Sequence, residues 1–283
     1  MAITPDLKHS LRVVKTSTWL DWQIDSNWTS PLIFSIYTLV KPLAATLIIV
    51  VMYYVVAGRV VEEARLHFMY LGHAFYMYVA QVLFSMGWVV HDDREHYQSL
   101  KYLYISPSHY YLYLVGRALG KLLLTSVSVI LLLILGFLLL GIPRNMDILL
   151  FFPGLLLGFV AVVGFGITLA SVTLLTARHG EGIGASLAGV FYLFSGAIFP
   201  LSVLPDWGQR FGLLLPTTYW FSIIRRSILG YEVDPTLGGV TDRTLLLTLL
   251  FGAIASIFLS VVVYKAMEYL GRKKGIIDMM TTY

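Results

Sequence analysis

The sequence contains no cysteine, which excludes disulfides, thiolate metal sites and a cysteine nucleophile. It is also poor in charge: 13% of its 283 residues are Asp, Glu, Lys or Arg, against about 25% in typical soluble domains. It lacks a phosphate-binding loop. The nearest candidate, Gly116-Arg117-Ala118-Leu119-Gly120-Lys121-Leu122, has too few residues between its glycines, no Ser or Thr after the lysine, and no preceding strand. Any ATP chemistry is therefore expected on a partner. The net charge is only +4 and the basic residues are scattered, so nucleic-acid binding is not indicated. Met1 to Ser30 lacks the apolar core of a signal peptide, and membrane insertion is expected to use the first span itself.

What is present in excess is apolar surface. Hydrophobic residues make up 58% of the chain and the mean hydropathy is +0.78. One soluble core could not hide this much, which leaves an all-α polytopic membrane protein, residues 1–283 forming a single transmembrane domain. Against that background 91–107 is a charged island. Asp92, Asp93, Arg94 and Glu95 are consecutive, and at roughly 2.5–3.5 kcal/mol each they would cost about 10 kcal/mol at the bilayer centre. The island is expected outside the membrane, as a docking element.

Residues 7–28 read as an amphipathic helix lying at the membrane surface, within an interfacial segment 1–30. Leu7, Leu11, Val14 and Trp22 fall near one face, Lys8, Arg12 and Lys15 on the other, and Trp19, Trp22 and Trp28 suit the headgroup zone. Six spans follow, at approximately 31–57, 66–90, 122–143, 148–177, 183–199 and 244–264, each long enough to cross. Lys41 lies inside the first and can snorkel. Short loops are expected at Arg59 to Arg65, at Arg144, Asn145 and Asp147, and at Arg178 to Gly182. The stretch 200–230, with Pro200, Pro205 and Pro216 among apolar residues, is too broken for one span and too apolar for a free loop. Short re-entrant helices buried against protein satisfy both constraints. Most lysines and arginines fall on the side of the termini and of the island, which the positive-inside rule places in the cytoplasm. The re-entrant helices are then extracellular.

His91 with Glu95, and Asp92 with His96, are four apart and include zinc-type ligands, but a solvated face explains them better and no metal site is expected. Ser195-Gly196 would need a base to act as a hydrolase. His67, His73 and His179 are predicted near span ends, and no Gly-x-Ser-x-Gly turn exists. Gly154 with Gly158, and Gly180 with Gly184, have the spacing of close helix contacts. Apart from Lys41 no Asp, Glu or Lys is placed in mid-span, which argues against an ion relay and for an apolar or amphipathic cargo.

With both segments in view the sequence resembles the permease subunits of the type 2 ABC exporter family. Asp93-Arg94-Glu95-His96-Tyr97-Gln98-Ser99-Leu100-Lys101, with Ser106-Pro107 and Gly116-Arg117, is similar to the family's cytoplasmic "DRE…L…SP…GR" segment. Ser195-Gly196-Ala197-Ile198-Phe199-Pro200, with Leu204-Pro205, Leu215-Pro216 and Arg225-Arg226, is similar to its "SG…FP…LP…P…R" segment. His96 departs from the small residue common there. The resemblance implies a coupling helix at 91–107, with Asp93, Arg94, Glu95, His96, Leu100 and Lys101 docking on a separate ATP-binding cassette ATPase. It implies an extracellular re-entrant gate involving Ser195, Gly196, Phe199, Pro200, Pro205 and Pro216. It also implies a second permease, a copy of this chain or a related one, ATP and Mg on the partner only, contact with membrane lipid, and a plasma-membrane location. A stand-alone secondary transporter or channel, and an intramembrane hydrolase, are the rival readings.

Overall fold

Residues 7–27, 29–58, 62–143, 146–176 and 180–275 are described by the structure, a computed structural model. Every regular element among them is helical. In order these are α1 (Leu7–Ser26), α2 (Pro31–Ala57), α3 (Glu63–His91), a π-helical turn (Asp92–His96), α4 (Leu100–Ile105), α5 (Tyr110–Leu139), α6 (Ile148–Thr173), α7 (Gly180–Phe194), a 3-10 turn (Leu201–Val203), α8 (Asp206–Gly212), α9 (Pro216–Leu229), α10 (Pro235–Gly238) and α11 (Asp242–Lys274). Among the described residues five helices, α2, α3, α5, α6 and α11, are long and apolar enough to cross a membrane.

The helix boundaries follow local chemistry. Asp147 caps α6 by accepting from the amides of Leu149 and Leu150, and Thr241 caps α11 by accepting from Thr244. Proline opens α2, α9 and α10, where its missing N–H costs nothing. Inside α2, Pro42 leaves the carbonyl of Thr38 without its intrahelical donor. The Ser128 hydroxyl of α5 donates to that carbonyl at 2.6 Å, so the interruption becomes an interhelical bond.

The bundle is built around α3, which packs against α2, α5, α6, α7 and α9. In its most apolar window 67% of the residues are buried, against 11% for α2, which stands at the edge. Small residues set the closest approaches. Gly158 of α6 lies under the Trp220 ring of α9, and Gly154 lies against Ile223. Gly164 lies against Ser256 of α11, and Gly184 of α7 against the backbone of Leu83 and Phe84. The expected close contact at Gly154 and Gly158 is thus a packing seam within the chain.

Several expectations shift. The fifth span, predicted as 183–199, is α7, a helix of 15 residues that ends at Phe194. Gly196, at φ +67°, turns the chain before Pro200 is reached. Gly180 to Gly182, read as loop, already belong to α7. The last helix is longer than predicted, because its amphipathic end continues to Lys274. Trp28, Arg59, Arg144, Asn145, Arg178 and His179 lie outside the described residues.

The contact of α1 with the bundle is made by its polar side: Leu7 and Leu11 are 72% and 62% exposed, while the buried residues are Ser17 and Asp21. That polar face meets α5 at Gly116 and Gly120. A Cβ at Gly116 would collide with the Ser17 hydroxyl, and one at Gly120 would come within 2.6 Å of Asp21. The spacing that looked like a failed phosphate loop is the seat of a helix. Gly116→Val is therefore expected to lift α1 from α5. Amide hydrogen exchange in 7–26 should speed by about tenfold or more while α3 stays protected, since local opening is read per segment. Unchanged protection of α1 would refute this seat.

Candidate functional site

The charged island begins as a continuation of α3. The π-helical turn Asp92–His96 prolongs the central helix, and such turns occur often at functional positions. The chain then reverses through Gln98, whose φ of 52° is uncommon for a residue with a side chain. Ser99 donates its amide to the Asp93 carbonyl at 2.8 Å, and the short helix α4 follows.

Side chains of the island divide into two sets. Asp93, Arg94 and Leu100 are buried. His96 and Lys101 are exposed and Glu95 is half-buried, with exposed Tyr97, Tyr102 and Ile105 beside them. The six residues predicted to contact a partner are therefore not one surface. Asp93 and Arg94 are turned inward because α3 delivers them between helix ends, where charge must be matched from within the chain.

Asp93 sits in a network that joins three elements. Its carboxylate accepts from the Tyr113 hydroxyl at 2.9 Å, the Tyr110 hydroxyl at 3.2 Å and Arg117 Nη1 at 3.2 Å. Arg117 also donates through Nε to Asp21 of α1 at 2.7 Å and through Nη1 to the Tyr113 hydroxyl at 2.6 Å. One helical turn on, Lys121 lies 3.4 Å from Asp21 and 2.6 Å from Asp25. Burial pushes the Asp21 carboxyl above its usual range, and Lys121 and Arg117 pull it back down. Tyr104, Tyr110 and Tyr113 stack in sequence at 5.2 and 5.4 Å, closing the site on the α4 side. Arg94 points another way: its Nη2 donates to the Leu174 carbonyl at 2.8 Å, just beyond the end of α6, where helix carbonyls lack partners. The island is thus fastened to α5, α1 and α6.

The second predicted segment lies at the opposite end of α3. Ser195 is buried and its hydroxyl donates to the Phe191 carbonyl, the bond of a helix terminus. Gly196 turns the chain, Phe199 is half-buried, and Pro200, Pro205 and Pro216 start the 3-10 turn, α8 and α9. Arg225 holds this turn together. Fully buried, it donates to the carbonyls of Ala197 at 2.6 Å, Gly196 at 2.8 Å and Phe68 at 3.2 Å, with its guanidinium 3.5 Å over the Phe68 ring. Gly72 of α3 leaves the space: a Cβ there would collide with the Ala197 carbonyl and the guanidinium. Arg226 instead ties α9 to the connection into α11, through Glu232 at 2.9 Å, Asp242 at 2.8 Å and the Leu237 carbonyl at 2.6 Å.

Asp21, Asp25, Tyr110, Tyr113, Gly72 and Asp234 escaped the sequence reading. Asp234, whose carboxylate accepts from Leu201 N at 2.7 Å, had a signal in the Asp-Pro pair that opens α10. Asp21 and Asp25 had one as well, acidic residues four apart in a helix read only for its apolar face. His91 stacks on Trp88 at 4.5 Å, and among the described residues no three His, Asp or Glu side chains converge as a metal site.

Comparison with known families gives one match: residues 13–229 fit the family described as ABC-2 type transporter. No curated protein matches the chain. The matched region runs from α1 to the end of α9 and so contains both segments.

Proposed function

The chain belongs to the ABC-2 type transporter family, and on that premise we propose that it is the permease subunit of an ATP-driven exporter. It is a multi-pass membrane transport component. A separate ATP-binding cassette ATPase, carrying ATP and Mg, drives it from the cytoplasm. Two permease copies in the plasma membrane form the working unit, with both termini cytoplasmic and α8 and α9 re-entrant on the outside. The cargo is apolar or amphipathic.

The observation that carries this reading is the exposed face of the island. Tyr97, Tyr102 and Ile105 are 45%, 65% and 80% exposed, flanked by His96 and Lys101, on a segment rooted by Asp93, Arg94 and Leu100. Apolar side chains rimmed by polar ones mark a protein contact. Glu95, His96 and Lys101 belong to the docking face, and Asp93, Arg94 and Leu100 position it. ATP binding closes the paired ATPases and moves α4. The π turn passes that movement to α3, Asp93 passes it to α5 and α1, and Arg94 passes it to the end of α6. The outer turn at 195–216 then opens or closes. The energy is the partner's differential affinity for the two conformations.

Replacing Tyr102 and Ile105 together by glutamate tests the docking face. Co-purification of the ATPase from native membranes should fall about tenfold or more, the equivalent of roughly 1.4 kcal/mol. Thermal unfolding of the purified chain should not change, since both side chains are exposed. Full retention of the ATPase would sink the docking role. A wild-type chain that brings no ATPase under conditions preserving known complexes would favour a stand-alone transporter.

A further inference from the structure

A groove of about 600 Å³ lies between α2, α3, α5 and α7, within the usual range for small-molecule sites. Phe34, Met77 and Phe84 give it an apolar lining, and Lys41, His73 and Gln81 place polar groups in it. Two of these leave a nitrogen without a partner among the described residues. Lys41 lies about 15 Å along α2 from Pro31 at 1.5 Å per residue, and no ion pair is formed to it among the described residues. The one carboxylate lining the groove, Asp25, is already held by Lys121 at 2.6 Å. His73 is nine-tenths buried. Its Nδ1 meets the Tyr192 hydroxyl at 3.3 Å while Nε2 has no partner. With Nδ1 accepting from Tyr192, Nε2 carries the hydrogen and is a buried donor without a partner in a side chain that lines the groove.

The polar groups stand at two depths. Tyr53 of α2 bonds to Glu62 at the start of α3; Lys41 lies about 18 Å along α2 from Tyr53 and His73 about 15 Å along α3 from Glu63, so the two are nearly level. A cation and an imidazole therefore stand at one level, with the Gln81 amide about 12 Å farther toward the His91 end. The carboxylate in the lining, Asp25, is taken by Lys121, so the unpaired charge here is positive. An ionisable residue held in a spanning helix marks a pathway or a ligand.

We propose that the groove binds an anionic amphiphile as cargo, its carboxylate or phosphate head on Lys41 and His73 and its apolar chain along Phe34, Met77 and Phe84. This rests on the permease reading and specifies its substrate class. Gln81 is the donor the head meets before that level, on its way from the His91 end.

The test uses the full chain in phosphatidylcholine nanodiscs, without ATPase, so it can fail while the permease reading stands. A photoreactive fatty acid and its methyl ester are the probes, and labelled peptides are mapped by mass spectrometry. The acid should label α2 and α3, the ester about tenfold less, and Lys41→Gln should cut acid labelling about tenfold while Lys41→Arg keeps it. Dodecyl phosphate should compete and dodecyl maltoside should not. Equal labelling by acid and ester, or indifference to Lys41→Gln, would overturn the proposal. Competition by phosphatidylglycerol at its membrane abundance would make the occupant a resident lipid and overturn the cargo assignment. The chain has no cysteine of its own. A Lys41→Cys variant that links two copies by a disulfide while the groove stays unlabelled would make this face a permease contact, and would also overturn it.

Discussion

Replacing Arg117 by methionine is expected to destabilise the folded chain by about 3–5 kcal/mol, the cost of stranding a buried charge. Arg117 is 2% exposed and stands between two carboxylates, Asp93 and Asp21, each 1% exposed. Lys121 reaches Asp21 at 3.4 Å, but among the described residues Arg117 is the only cation paired with Asp93. Its loss leaves Asp93 with two tyrosine hydroxyls and an uncompensated charge. Replacing Asp93 by asparagine in the same chain should recover a substantial part of the loss, because the two residues share one network and their effects do not add. Denaturant unfolding in detergent, followed by near-ultraviolet dichroism, would measure both. A loss below about 1 kcal/mol for Arg117→Met would mean that solvent enters the site and that the network holds nothing.

At the other end of α3, Gly72→Val should leave ATPase assembly intact and abolish most transport. The position has no space for a side chain: the first added carbon meets the carbonyl of Ala197 and the guanidinium of Arg225. Overpacking of this kind costs about 1–3 kcal/mol. The strain falls on the 195–200 turn, whose carbonyls Arg225 gathers. Transport should drop about tenfold or more if the displaced turn raises the barrier by about 1.4 kcal/mol. Co-purified ATPase should be undiminished, because the docking face lies at the far end of the helix. Normal transport by Gly72→Val would rule out a fixed turn at 195–200 as part of the gate.

Composition and pattern reach far into this fold. Apolar runs longer than any soluble core requires mark the spanning helices, and the prolines at 200, 205 and 216 mark where helices must restart. The charged quartet at 92–95 announces a segment that cannot sit in hydrocarbon. What could not be read is which face of α1 packs. Hydrophobicity assigns Leu7, Leu11 and Trp22 to the membrane surface and says nothing of a protein contact, which Ser17 and Asp21 make on two glycines. The physical reason is that apolar surface gains little by leaving lipid, so helix association there rests on close approach and polar bonds. Those bonds are long-range: Asp21 and Arg117 lie 96 residues apart, and Asp93 and Arg117 lie 24 apart. The split of the island into inward and outward residues is hidden for the same reason. It depends on where α3 ends against α5 and α6, not on the order of charges. The end of the fifth apolar run was misplaced by a few residues because a glycine at positive φ stopped the helix before the proline did.

The two segments that carry the family pattern meet one helix, α3, at opposite ends. Along α3, Gly72 and Asp93 are separated by about 30 Å of continuous backbone at 1.5 Å per residue. A rod of that kind has no preferred direction. If nucleotide at the inner end biases the outer turn, then whatever steadies the outer turn must bias nucleotide affinity by the same factor, because coupling free energy is reciprocal. The permease is then also a sensor. Occupancy of the membrane path would be reported to the ATPase as a change in nucleotide affinity, before any cargo has crossed.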